Sequence, residues 1–411
     1  MASVAEAARG TRPVANGLIL LVGMAIFLNY VDRGALPVGA PQMKSQLGLT
    51  ATQFGLAVSA FFWVYAPLNM FIGRLCDRYS VYWVFGAGVV LWAVSTILTS
   101  LAAGLASLIV LRVFLGIGES VAFPGSSKMI TAHVPASGRG LANGIIGAGL
   151  ALGPAVGTLA GGLMTAAFGW RVMFLVFGLV TLVWLLPWAA VVRRIPKVER
   201  ADCIDCVPIA SVASRWALWA MGLAHFFNVY GFYFLLTWLP LFLVQSRGFT
   251  IQQMSYLATT AQLAFASSVL AFGWGSDLWT RSGRAEHSIR RWTIVGGHVV
   301  AAICIVGILL SESLPALVFW LALAGASYGT STPSLYGIAQ MFAGPRASGT
   351  WVGVQNAIGN IAGFVMPVVT GIMIDRTGSY SGGFFLAAAV VGFGALWWVW
   401  GVPKIRQIEL D

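Results

Sequence analysis

The sequence predicts an all-α membrane protein of twelve transmembrane helices in two six-helix bundles. Three observations carry the prediction. The composition is too oily for a water-facing surface, apolar runs recur at membrane-spanning length, and short motifs return in the same order in both halves of the chain.

Composition comes first. Of 411 residues, 58% are hydrophobic and 9% are charged, whereas a soluble domain carries roughly 25% charged residues. Mean hydropathy is +0.84. So little charge cannot cover a soluble surface. The 49 glycines fit the same class, because membrane helices use small residues for close packing. Residues 1–16 are polar and basic and show no cleavable signal, so the first helix is expected to target the chain.

Apolar segments long enough to cross a bilayer fall at about 17–39, 53–74, 82–102, 105–130, 140–166 and 171–192, then at 216–246, 252–276, 291–311, 315–342, 350–374 and 382–402. The stretch 193–215 between the groups holds Arg193, Arg194, Lys197, Arg200 and Arg215. The expected division is therefore 1–192, an N-terminal six-helix bundle; 193–215, a cytoplasmic linker; and 216–411, a C-terminal six-helix bundle.

Net charge is +11, and its distribution reads as topology rather than as a nucleic-acid footprint. With the N-terminus inside, 18 of the 24 Lys and Arg residues fall on inside segments. Lys44, Arg171, Arg247 and Arg376 fall outside, and Arg33 and Arg112 lie within the membrane. This positive-inside bias places both termini in the cytoplasm. The expected location is the inner (plasma) membrane, as a multi-pass monomer surrounded by lipid.

The halves echo each other. "GRLCD" (Gly73–Asp77) closes the second span and "GWGSD" (Gly273–Asp277) closes the eighth. The fifth span carries "GLALGPAVGTLAGG" with Pro154, and the eleventh "GNIAGFVMPVVTG" with Pro367. Asp77, near Arg78 and Arg139, is read as a latch of the cytoplasmic gate, with Asp277 as its counterpart.

Four ionisable residues lie inside spans: Asp32 and Arg33 on the first, Arg112 and Glu119 on the fourth. Each costs roughly 2.5–3.5 kcal/mol at a helix centre, so such groups face a bundle interior or a wet cavity. Arg112 and Glu119 are two turns apart on one helix face. Structural ion pairs between the two helices are one reading; transport machinery is the other. Arginine suits a carboxylate because its planar fork binds in bidentate fashion, and buried acids can load and release protons. Adjacent residues on a helix point about 100° apart. Arg33 is therefore expected to face the substrate while Asp32 turns toward the fourth helix and Glu119.

His225 stands with Asn228, Tyr230 and Tyr233 on the seventh span, where it either contacts substrate or protons or bonds a neighbouring helix. His298 has no polar cluster beside it and reads as structural. The runs Trp397–Trp400 and Val318–Trp320 read as interfacial aromatic belts. Of four cysteines, Cys203 and Cys206 form a CxxC with no second pair nearby, so they read as loop thiols rather than a metal or redox site. No metal and no cofactor are expected.

Twelve spans in two parallel repeats, the paired GxxxD motifs and the linker are the pattern of the major facilitator superfamily. Within it the chain resembles the anion:cation symporter family, which includes bacterial D-galactonate and hexuronate transporters and is similar to animal sialin and the vesicular glutamate transporters. The matching stretches are "NYVDRGALPVGAPQMKSQLGLT" (Asn29–Thr50), "SAFFWVYAPLNMFIGRLCDRY" (Ser59–Tyr79), "RVFLGIGESVAFPG" (Arg112–Gly125) and "VYGFYFLLTWLPLFL" (Val229–Leu243). The resemblance implies that Arg33 meets the substrate carboxylate, with Tyr30 and Tyr65 in the same pocket. It implies proton-coupling roles for Asp32 and Glu119, modulated by Arg112. It implies polar groups from the tenth and eleventh helices, here Ser331 and Thr332 in "GTSTPS" and Asn356 or Asn360; Tyr233 on the seventh span is a further substrate-binding candidate. "DRYSVYWV" (Asp77–Val84) lacks the basic residue that commonly follows the GxxxD loop.

The expected function is import of an organic anion by proton symport through alternating access. An uncoupled or exchange-type transporter of the same fold is the alternative. A receptor or enzyme is distant, because the chain has no HExxH, GxSxG or Walker loop and no large soluble domain. Sugar acids, small hydroxy acids, dicarboxylates and aromatic acids all fit a single arginine. The lack of an intramembrane Arg or Lys in spans seven to twelve favours one carboxylate.

Overall fold

In the computed structural model, the structure describes residues 2–134, 139–195, 208–281 and 285–408; side chains are described within these except at 2–15, 70, 73–74, 77, 139–140, 273–274, 276–278, 280–281 and 345–346. Among the described residues, twelve helices are long and apolar enough to span a membrane. They are α1 (Asn16–Gln46), α2 (Ala51–Asn69), α3 (Val81–Thr99), α4 (Leu105–His133), α5 (Leu141–Phe168), α6 (Trp170–Val192), α7 (Trp216–Gln245), α8 (Ile251–Phe272), α9 (Glu286–Leu310), α10 (Leu314–Gly344), α11 (Ala347–Thr377) and α12 (Ser381–Trp400). As an even number of spans, they leave both termini on one face. Several run past the apolar stretch that defines them: α1 continues to Gln46 rather than ending near residue 39. Polar residues extend these helices beyond the hydrocarbon layer without breaking their hydrogen bonds.

The two halves are α1–α6 and α7–α12. They meet along three seams: α1 against α7, α2 against α11, and α5 against α8. Repetition is visible atom by atom on the face opposite the termini. Trp170 Nε1 donates to Gln46 Oε1 at 2.7 Å, tying α6 to α1. In the second half the Tyr380 hydroxyl donates to Gln245 Oε1 at 2.6 Å, tying the start of α12 to α7. Both α2 and α8 start with a capping box. The Thr50 and Gln53 side chains cap each other's N–H groups, and Thr250 and Gln253 do the same. Gly48 and Gly248 precede them with φ of 62° and 69°, a left-handed turn that glycine adopts without a Cβ clash.

Breaks in the helices have local causes. α4 is interrupted just after Glu119 and resumes at Ala122. α11 is interrupted at Asn360, whose N–H bonds the carbonyls of Asn356 and Ile358. α10 and α11 separate at Gly344, with φ 65° and ψ 178°. The C-terminal tail docks there, Ile408 N–H donating to Phe342 O at 2.9 Å.

The seams are closed at one end only. On the face opposite the termini, a Cβ on Gly55 of α2 would lie 2.2 Å from the Pro367 carbonyl oxygen of α11. One on Gly371 would lie 2.5 Å from the Ala51 oxygen, and one on Gly162 of α5 would meet Ser255 Oγ of α8 at 1.7 Å. Towards the termini, a Cβ on Gly144 or Gly147 of α5, or on Gly349 or Gly353 of α11, meets nothing within 4 Å. The halves therefore touch backbone to backbone on one face and stand apart on the other.

Several expectations are refined. Trp398 is fully buried and Trp397 Nε1 donates to Ala220 O, so the Trp397–Trp400 run belongs partly to the core. His298 is buried against the Ile294 carbonyl of its own helix. Arg78 is exposed, its guanidinium over the Tyr79 ring. The side chains of Asp77, Arg139 and Asp277 lie outside the described residues, as do residues 196–207 with Cys203 and Cys206.

Candidate substrate and coupling site

Halfway through the first bundle, α1, α2, α3 and α4 bring four charges together. Arg33 lies 13 residues before the end of α1 at Gln46, and Glu119 lies 14 residues after the start of α4 at Leu105. At 1.5 Å per residue both sit about 20 Å from that face. Arg33 Nε donates to Glu119 Oε2 at 3.0 Å. Arg33 Nη2 lies 3.0 Å from the same oxygen, but is not aligned to donate. Two nitrogens thus converge on one oxygen, and Glu119 Oε1 has no partner. This is an ion pair short of the bidentate fork an arginine can form.

The guanidinium is packed among aromatic rings. Its Cζ lies 4.8 Å from the Tyr30 ring centre, 5.0 Å from Phe61 and 4.6 Å from Tyr65. Cation–π attraction of about 0.5–2 kcal/mol per ring holds the charge. Glu119 is fully buried, whereas the Arg33 side chain keeps 11% of its surface. Arg33 is thus the member of the ion pair that reaches open space.

The neighbouring Asp32 carboxylate is within electrostatic reach of Glu119 and Arg112. Asp32 does not hydrogen-bond Glu119; its Oδ2 accepts from Thr96 Oγ1 of α3 at 3.3 Å, and its Oδ1 is unpaired. The 100° between adjacent positions aims Asp32 at α3 and Arg33 at α4. Arg112 is buried with its Nε unpaired, and the Phe174 ring of α6 lies 6.0 Å from its Cζ. Asn29, one turn before Arg33, is buried beside the Glu119 carboxylate. A buried unsatisfied polar group costs about 1–3 kcal/mol. Several around one ion pair mark a place arranged for something other than stability.

The second half supplies the neutral wall. The Tyr233 hydroxyl donates to Asn360 Oδ1 at 3.0 Å, and Asn360 Nδ2 donates to the Asn356 carbonyl at 2.8 Å. This network spans the interruption of α11. Phe62 of α2 lies tilted against Tyr233, ring centres 5.1 Å apart, and seats on Gly363 of α11. Tyr336 of α10 meets His225 edge to face at 5.7 Å. His225 is buried and packs against Gly359, beside the interruption. Thr332 donates to the Tyr328 carbonyl and Ser331 to the Ser327 carbonyl. Ser331 points at Gly297 of α9, so helix phase turns it away from Arg33.

A small cavity of about 60 Å³ adjoins the ion pair, lined by Arg33, Arg112, Glu119, Tyr233 and Thr237 among mostly apolar groups such as Phe61, Phe62, Leu236 and Pro367. Phe61, Thr96 and Tyr336 were not singled out from sequence. Tyr336 was accessible to inspection, being one turn beyond Thr332 on the same face. Thr96 is an ordinary helix residue until the fold places it against Asp32.

The profile of the Major Facilitator Superfamily matches residues 22–286 and 221–408. The chain belongs to the Major Facilitator Superfamily. Its relatives are named as transporters. The probable sulfoacetate transporter of Cupriavidus necator is 31% identical over 403 residues, covering 94% of this chain and 93% of the relative. The hexuronate transporter of Bacillus subtilis is 28% identical, with 92% of each chain covered. The D-galactonate transporter of Escherichia coli is 27% identical, covering 95% of this chain and 96% of the relative. Among solved structures, a bacterial homologue of the lysosomal transporter Spinster, in an inward-facing and occupied conformation, superposes with TM-score 0.79 over 94% of this chain and 96% of that one, at 20% identity. That likeness shows the shared fold of the Major Facilitator Superfamily.

Proposed function

We propose that this protein is a proton-coupled symporter that imports an organic anion by alternating access. The observation that carries the reading is the Arg33–Glu119 ion pair. A substrate carboxylate and the Glu119 carboxylate are rivals for one guanidinium. While Glu119 is ionised it holds Arg33; protonated, it releases the fork to an incoming anion. The charge count supports this. Asp32 and Glu119 against Arg33 and Arg112 sum to zero, so a bound monoanion leaves a net −1 in a dry site unless a proton enters with it. Burying unpaired charge costs several kcal/mol, and one proton per carboxylate removes that cost. Asp32, unpaired at Oδ1, is the second proton carrier, and Arg112 compensates when both acids are ionised.

Tyr30, Tyr65 and Tyr233 surround the anion, and Asn356 and Asn360 receive its uncharged end, with Thr332 behind them. Relatives named for sulfoacetate, hexuronate and D-galactonate support a small organic acid. The halves 1–192 and 216–411 rock about the site, joined by the 193–215 linker. In this reading the termini are cytoplasmic in an inner (plasma) membrane. The open face is the inward one, closed in the opposite state with help from Asp77, Arg78, Arg139 and Asp277.

The test begins with a thermal-shift screen of sugar acids, hydroxy acids and sulfonates on purified protein. Ligand at 100 times its Kd stabilises by about 2.7 kcal/mol. The hit is then followed as uptake into proteoliposomes with an acid-outside gradient. Uptake that ignores both the gradient and its collapse by a protonophore would refute coupling. Absence of any stabilising acid would refute the substrate class.

A further inference from the structure

A helix start leaves main-chain N–H groups that the helix itself cannot satisfy. At the start of α2 four of these groups are satisfied, and they come from two different sources. The capping box takes two: Thr50 Oγ1 accepts from Gln53 N–H at 3.1 Å, and Gln53 Oε1 accepts from Thr50 N–H at 3.0 Å. The other two are taken from the opposite half of the molecule. Ala51 N–H donates to Asp375 Oδ1 at 2.9 Å, and Thr52 N–H donates to Asp375 Oδ2 at 2.8 Å.

Asp375 is badly placed for its own helix. It lies in the last turn of α11, just before Gly378 ends the helix in the left-handed conformation at φ 66°. A carboxylate there opposes the macrodipole of α11. The same charge at the N-terminus of α2 is favourable. The residue makes electrostatic sense only across the seam, when the two halves meet.

Comparison of the repeats isolates the feature. α8 starts with the same capping box, Thr250 with Gln253. The helix facing it, α5, has no acidic residue between Leu141 and Phe168. That seam is closed by Gly162 against Ser255. Of two repeat-related seams, one therefore carries a charged clamp and the other is closed by packing of small residues.

We propose that Asp375 is a conformational latch: its carboxylate engages α2 only in the state closed on the face opposite the termini, and it biases the transporter toward that state. This rests on the alternating-access reading above. The clamp is breakable by construction. Thr52 N–H and Asp375 lie at the exposed rim, so water replaces both partners when the face opens.

The test is a double electron–electron resonance measurement in proteoliposomes. Spin labels go on Ser45→Cys at the end of α1 and Ser246→Cys after α7, both exposed at that face, with the four native cysteines replaced by alanine. Asp375→Asn should lower the ratio of short to long distances by about tenfold, the scale of losing a good N-cap. Asp375→Ala should do at least as much. A second variant separates a latch from a simple helix cap. Thr50→Asp combined with Asp375→Ala supplies the missing charge to α2 from its own N-cap, so it should restore thermal stability but leave the ratio low. Recovery of the ratio in that double variant would overturn the latch, leaving Asp375 as a cap. Two populations whose ratio does not change in Asp375→Asn or Asp375→Ala would also overturn it, with alternating access intact. One unchanging distance in every protein and at every pH would overturn both readings.

Discussion

Arg33 Nε donates to Glu119 Oε2 at 3.0 Å, and a second nitrogen of the same guanidinium lies equally close to that oxygen. The pair joins α1 to α4 through one oxygen and leaves the other unpaired. It is strong enough to hold Arg33 and incomplete enough to be displaced by a carboxylate that offers two oxygens.

Glu119→Gln should therefore bind the substrate anion at neutral pH at least as tightly as wild type, and should lose accumulation driven by a pH gradient. The sign follows from linkage. If binding takes up a proton, wild-type affinity falls as pH rises, by up to about tenfold per unit; in the glutamine variant that slope should flatten. Calorimetric titration from pH 5.5 to 8.5 measures it. A variant that still concentrates substrate under the gradient would remove Glu119 from coupling.

Arg33→Lys should weaken binding by about 10- to 100-fold although the charge is kept. An ammonium cannot reproduce the planar fork, nor stack among Tyr30, Phe61 and Tyr65 as the guanidinium does. Near-normal affinity in a direct binding assay would place the carboxylate elsewhere.

Tyr233→Phe removes the hydroxyl that bonds Asn360 across the interruption of α11. A lost hydrogen bond of this kind is worth about 0.5–1.5 kcal/mol, so KM should rise roughly three- to tenfold. Asn360→Ala should weaken uptake more, since it removes both bonds. Unchanged uptake kinetics in Tyr233→Phe would show that the network is scaffold alone.

Gly55→Val should disfavour closure of the face opposite the termini. A Cβ there would lie 2.2 Å from a main-chain oxygen of Pro367, and overpacking costs about 1–3 kcal/mol. Solvent access to Thr237, which lines the central cavity, should increase from that face. An impermeant thiol reagent acting on Thr237→Cys would report it.

Linker topology can be read with native thiols. Cys76 and Cys304 are buried, so labelling of the intact protein by an impermeant maleimide should report Cys203 and Cys206. Labelling is expected in inside-out vesicles and not in right-side-out ones. The reverse pattern would invert the orientation.

By itself the sequence determined the class, the number of spans and their repeat, because the bilayer imposes one rule everywhere. An apolar run of about 20 residues must become a helix to satisfy its own backbone, and no neighbour needs to be known. The four intramembrane charges were visible for the same reason: they break that rule. What only the tertiary structure decided is which groups meet. That Glu119 faces Arg33 while Asp32 faces Thr96 depends on the rotation of α1 against α3 and α4, to which hydropathy is blind. Ser331 and Thr332 are neighbours in sequence, yet helix phase puts the first against α9. Asp375 was not singled out from sequence, since nothing local tells a surface carboxylate from one that caps a helix more than 300 residues away in the chain. A helix end leaves its N–H groups open to any acceptor, and only the docking of the two halves determines which acceptor arrives.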